Sequence, residues 1–142
     1  MKTRAIVISI FLGLLLLAAT APVQAQQSFR VKVPFNFVAG QVSLPAGEYR
    51  VQRAADGSPA MVLQRIDGLG NDAAIVITNS AEASTPKSHS SLVFRVYGEG
   101  YFLSQVWSAG DTNGRQLPTS PVEKELAKNE TPHEIVLVAS LQ

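Results

Sequence analysis

The chain has 142 residues, with 12 Lys/Arg against 11 Asp/Glu, two His and no Cys. The missing cysteine removes disulfides, thiolate nucleophiles, cysteine-ligated zinc and a lipid anchor at a lipobox cysteine together. A net charge near zero, on basic residues scattered from Arg30 to Lys128, excludes the long-range pull that nucleic acid or an anionic lipid surface exerts on a basic protein.

The first 25 residues read as a cleavable signal peptide. Lys2 and Arg4 form its positive end, and Ala5 to Ala19 is an apolar core broken only by Ser9 and Gly13. Val23 and Ala25 are small enough for the pockets of a signal peptidase, so the expected cut falls after Ala25 and leaves Gln26 as the new N-terminus. A cut after Ala21 is disfavoured because Pro22 would follow it. The core is short of the ~20 apolar residues that span a bilayer, so membrane contact is expected only before cleavage. The product, residues 26–142, is the size of one domain. It loses Lys2 and Arg4, keeps all eleven acids, and carries a formal charge of −1. Export to the periplasm or beyond the cell is the expected address.

Phe29, Val31, Val33, Phe35 and Phe37 alternate with Arg30, Lys32, Pro34 and Asn36, which predicts one strand or two collinear ones with an aromatic-rich inner face. Pro34 predicts an edge position or a break, and Gly40 a turn. Leu44-Pro45-Ala46-Gly47 is a turn whose Gly47 permits a positive φ, and it leads into a strand with Tyr49 and Val51 on one face. Strands are predicted over Ala60–Ile66 and Ala73–Thr78, separated by turns at Asp56-Gly57-Ser58-Pro59 and Asp67–Asp72. Ile75, Val76 and Ile77 are apolar on both faces, which predicts a strand covered on both sides. Asn79–Ser91 reads as a long mobile loop.

Leu92–Tyr97 and Tyr101–Trp107 form a hairpin about Gly98-Glu99-Gly100. In its second strand the predicted faces are Tyr101, Leu103, Gln105, Trp107 and Phe102, Ser104, Val106. Ser120-Pro121-Val122-Glu123 has a capping serine, a proline at the first helical position and a glutamate placed to close a capping box. The helix it starts runs to about Lys128, with Val122 and Leu126 as an apolar stripe for the sheet. Pro132 stops it, and Glu134–Leu141 is the last strand, again apolar on both faces. About seven short strands with one brief helix in the C-terminal half predict an all-β fold, an antiparallel β-sandwich or partly open barrel.

Val33-Pro34-Phe35-Asn36-Phe37, Gly40, Leu44-Pro45-Ala46-Gly47-Glu48-Tyr49, Tyr101-Phe102-Leu103-Ser104, Trp107, Gly114-Arg115, Leu117-Pro118 and Glu123-Lys124-Glu125-Leu126-Ala127 together resemble a group of small exported proteins of unknown function from acidobacteria. The resemblance spans most of residues 26–142. It implies an envelope setting and carries no activity, cofactor or site residue with it.

Candidate chemistry is sparse. His89 and His133 are far apart in sequence, and neither has a second ligand at metal-site spacing, so both read as solvated loop residues. Ser90 and Ser91 stand beside His89 without a nucleophile elbow. Glu48 with Glu99 or Asp111 is a conceivable carboxylate pair for a sugar cleft, but sequence does not set the separation that chemistry requires. Asp111-Thr112-Asn113-Gly114 begins like a calcium loop and lacks its later oxygen ligands. Gly68-Leu69-Gly70 lacks the third glycine and helix of a phosphate loop. No catalytic residue, cofactor or metal is expected. Tyr97, Tyr101 and Trp107 on the hairpin are the candidate contact surface for an envelope protein or a glycan, set against the plainer reading that most of the nine aromatics of residues 26–142 fill the core. The expected role is a non-enzymatic binding or structural module of the cell envelope. The alternatives are a small secreted hydrolase using a loop histidine or carboxylate pair, and a subunit that assembles by pairing the exposed edge of Phe29–Phe37 or Glu134–Leu141.

Overall fold

The computed structural model describes residues 27–140. The expected signal peptide, with Val23 and Ala25 at its cut and Gln26 beyond it, lies outside them. In chain order the strands are β1 (Ser28–Val33), β2 (Phe37–Ala39), β3 (Val42–Leu44), β4 (Gly47–Arg53), β5 (Ala60–Arg65) and β6 (Ala73–Ile77). There follow β7 (Asn79–Glu82), β8 (Ser91–Tyr97), β9 (Gly100–Trp107), β10 (Asn113–Gln116), the helix α1 (Pro121–Ala127) and β11 (His133–Val138).

They form a two-sheet sandwich. One sheet runs β1-β4-β5-β6, and the other runs β11-β8-β9-β10-β7, with the β2/β3 hairpin added alongside β9. Every ladder is antiparallel except β2 on β9, which meet in parallel at Val38 and Phe102. Period-two alternation turns Phe29, Val31, Val33, Tyr49, Val51 and Leu63 of the first sheet toward Phe37, Leu92, Phe94 and Leu103 of the second. Phe37 stands edge-on to both Tyr49 and Phe94, at centroid distances of 5.3 and 5.4 Å. Each such buried side chain contributes about 1.5–3 kcal/mol of transfer free energy.

Three crossings join the sheets, after β1, between β3 and β4 at Pro45-Ala46, and after β6. At Pro34 the missing N–H ends β1, and the chain passes to the other sheet as β2, so the two are not collinear. At Thr78, β6 becomes β7. Buried Thr78 donates its hydroxyl to Pro59 O at 2.6 Å, and Arg115 donates Nε to Thr78 Oγ1 and Nη2 to Thr78 O, at 2.8 and 2.9 Å. The Leu44–Tyr49 block is a tyrosine corner, with the Tyr49 hydroxyl donating to Pro45 O at 2.6 Å. Gly47 is needed there for space rather than for a positive φ: a Cβ would lie 2.8 Å from Asp67 Oδ2 and 2.9 Å from Arg65 Nε. Gly40 does take a positive φ, +63°, to close the β2/β3 turn.

Several expectations give way to tertiary context. Ile75, 69% exposed, and Ile77 are covered on one side only, because nothing packs on the outer face of β6. Val136 and Val138 of β11, at the edge of the second sheet, are exposed for the same reason. The expected loop Asn79–Ser91 begins with β7, whose Ala81 packs with Val93 and Trp107 on the outer side of the second sheet. In β9 the alternation inverts at Ser104: Phe94 pairs with Leu103 and Val93 with Gln105, a β-bulge that turns both Leu103 and Val106 into the inter-sheet core. Tyr97 pairs with Gly100, so the hairpin turn itself is Gly98-Glu99.

Candidate functional site

Helix α1 starts as its sequence demands, with Ser120 Oγ accepting from Glu123 N at 3.2 Å and Pro121 in the first turn. Of the expected apolar stripe, Leu126 is half-buried and Val122 is not. Val122 is 64% exposed, whereas Glu123 is 2% exposed. The Glu123 carboxylate therefore does not complete the capping box. It accepts from Arg95 Nε, from Arg95 Nη2 at 3.2 Å and from the Tyr97 hydroxyl at 3.1 Å. The bidentate hydrogen bond to Glu123 raises the Arg95 pKa further above its ordinary value, and burial followed by the nearby carboxylate raises that of the Tyr97 phenol. This is a clamp that holds α1 down with buried charge.

The three hairpin aromatics are thus placed apart. Tyr97 is 5% exposed beneath α1, with its ring edge-on to Phe102 at 5.7 Å. Half-buried Tyr101 stacks on Phe35 at 3.8 Å on the inter-sheet side. Trp107, also 5% exposed, lies flat on Gly114, where a Cβ would come within 2.6 Å of its ring. The 83–90 segment covers it, with Lys87 Nζ 4.6 Å from the ring centroid. Backbone bonds from Lys87 N to Asp111 O and from Gly110 N to Lys87 O hold that cover in place. No continuous aromatic platform results.

The candidate catalytic groups are separated as well. His133 begins β11 opposite Val96, and β11 ends with Val138 opposite Ser91, so His133 and His89 lie at opposite ends of one ladder. His89 lines a shallow recess with Ser28, Arg30 and Ser140, and Asp111 faces a different cavity. Ser90 Oγ accepts from Ala109 N at 2.9 Å. Glu48 sits in the first sheet opposite Lys32, and Glu99 sits in the turn of the second. The Asp111 carboxylate accepts from Asn113 N at 3.1 Å, an Asx turn. Gly68-Leu69-Gly70 leads into a strand, with Leu69 N donating to Asp67 Oδ1 at 2.9 Å. Arg65 pairs with Asp67 and Asp72, at 2.9 and 3.0 Å. Among the described residues no group of three or more His, Asp or Glu could hold a metal ion.

Of several cavities among the described residues, the one that joins an apolar lining to two arginines is the inter-sheet mouth where β4 and β9 end. It is a cavity of about 440 Å³ with Phe29, Val51, Met61 and Val106 as apolar lining and Arg53, Arg115, Asp56 and Asp111 as its charged groups. That volume is within the range of small-molecule pockets. Arg53 reaches it because Tyr49, Val51 and Arg53 share the inner face of β4, and Arg53 is the last residue of that strand. Arg115 reaches it from β10, directly across the cavity lining from β4. Neither arginine is marked as a site residue by the sequence, since an arginine at a strand end carries no motif. The one available signal was that Arg53 continues the parity of Tyr49 and Val51. Compared with protein-family models, curated proteins and solved structures, the chain matches none.

Proposed function

We propose that this chain is an exported, non-catalytic binding module that holds a small ligand in the mouth between its two sheets. The observation that carries the reading is the joining of an apolar lining to two arginines in one cavity, the composition of a recognition site rather than of a solvated surface. The signal-peptide pattern of residues 1–25 and the resemblance to small exported acidobacterial proteins support an envelope setting. The separation of His89, His133 and the acids supports the non-catalytic reading over a hydrolase. Titration calorimetry of the purified protein with octanoate and with 1-octanol tests the proposal. Saturable binding of at least one at a single site supports it, and the absence of saturable binding to both defeats it.

A second reading, assembly through edge strands, is favoured by β11, whose Val136 and Val138 are exposed and whose six residues contain neither Pro nor Lys. Light scattering over a wide concentration range distinguishes it, a monomer throughout counting against assembly.

A further inference from the structure

The chemistry of the mouth narrows its ligand. Arg115 donates through Nε to Thr78 Oγ1, through Nη1 to Ser80 Oγ at 3.2 Å and through Nη2 to Thr78 O. All three acceptors are neutral, and two of its five N–H groups remain. Among the described residues neither Arg115 nor Arg53 joins an ion pair. Burial, and after it the positive charge of Arg53, lowers the Arg115 pKa. The site therefore holds two cations close together that an anion would relieve. Asp56 and Asp111 also line the cavity, Asp111 with an oxygen already engaged by Asn113 N. Their charges offset those of the arginines across the site as a whole and oppose a ligand carrying two negative charges.

Resting on the reading of the mouth as the ligand site, we infer that it selects a small organic monoanion, a carboxylate on a compact apolar body, with Arg53 as its charge partner. The apolar body lies on Phe29, Val51, Met61 and Val106, and the carboxylate lies in the planar fork of the guanidinium. Arg115 is tied to the Thr78 corner, so it fixes the far wall and adds charge. Arg53, free of side-chain partners among the described residues, moves to meet the ligand.

The test compares octanoate, 1-octanol and octylammonium on the same protein by calorimetry. Octanoate is expected to bind at least about tenfold more tightly than 1-octanol, and octylammonium more weakly than either, as one charge-assisted contact predicts. Arg53→Gln should bring octanoate to the level of octanol, Arg53→Lys should restore part of the preference, and Asp56→Asn should strengthen octanoate binding. Equal affinity for octanoate and octanol overturns the inference and leaves the ligand cavity standing. Tighter octylammonium binding, or a preference that survives Arg53→Gln, overturns it also. No binding in any arm removes the cavity reading with it. Should Arg53→Gln fail to fold, the octanoate-to-octanol ratio on the unaltered protein and the Asp56→Asn response decide the matter.

Discussion

Removing the Glu123 side chain strands two groups at once. In Glu123→Ala the Arg95 guanidinium loses both of its carboxylate bonds while remaining mostly buried, and the Tyr97 hydroxyl loses its acceptor beneath the helix. Breaking a buried pair from one side costs about 3–5 kcal/mol. Arg95 keeps some access to water, which sets its share near the lower end, and the unpaired hydroxyl adds about 1 kcal/mol. The expected loss is therefore about 3–4 kcal/mol in urea unfolding, out of the roughly 5–15 kcal/mol typical of a domain. The Ser120 cap is made to the backbone N–H of residue 123, so it survives and contributes nothing to the difference. Replacing the pair together, Arg95→Met with Glu123→Leu, removes the charges that need solvating and should return most of the stability. A loss under about 1 kcal/mol in the single variant, or a double variant as weak as the single one, refutes the reasoning.

Gly114→Ala drives a methyl into the indole of Trp107, at 2.6–2.7 Å from three ring atoms. It should cost about 1–3 kcal/mol and shift the emission of this sole tryptophan to longer wavelength. In a Trp107→Leu background the cost should largely vanish. Tyr49, fully buried, has its pKa pushed up to about 12, mainly by that burial, from an ordinary value of 10.0. The neutral phenol is the form the fold prefers, so its stabilisation is complete below pH 10 and fades as pH rises toward the folded value, by up to about 3 kcal/mol. Tyr49→Phe, which forfeits about 1 kcal/mol of hydrogen bonding at neutral pH, should draw level with the parent near about pH 11. A constant gap between the two across that range counts against it. Under the proposed export, mass spectrometry of the processed protein should find Gln26 at the N-terminus, and any other start corrects the cleavage site.

What the sequence displayed depends on what kind of force set each feature. The alternation through Phe29–Phe37, the turn at Leu44–Gly47 and the Ser120-Pro121 start are local patterns and stand where their residues predict, although the alternation divides at Pro34 between two sheets instead of running collinearly. Ile75, Ile77, Val136 and Val138 differ from expectation because apolar residues on both faces of a strand describe composition, whereas whether a sheet's outer face is covered is decided by how distant segments pack. The bulge at Ser104 inverted the faces of β9 through its pairing with β8, a partner nearby in sequence but with a register that alternation alone does not fix. Glu123 shows the same limit in the helix: its spacing from Ser120 suggested a capping role, and Arg95, 28 residues away, claimed its carboxylate instead. Tyr97 and Trp107, expected with Tyr101 as a contact surface, are both buried, and only for Trp107 does the plainer core reading foretell it. The mouth was illegible because its groups come from β1, β4, β5, β9 and β10 and from the loops between them, segments spread from residue 27 to residue 115.

The most direct test of the mouth as a binding site is to locate a bound probe. Chemical-shift mapping of the methyl-labelled protein with octanoate should perturb Val51, Met61 and Val106 together, with one saturation curve matching that from calorimetry. Perturbations centred instead on the exposed edges, at Ile75 and Ile77 or at Val136 and Val138, or none that saturate, would contradict the account.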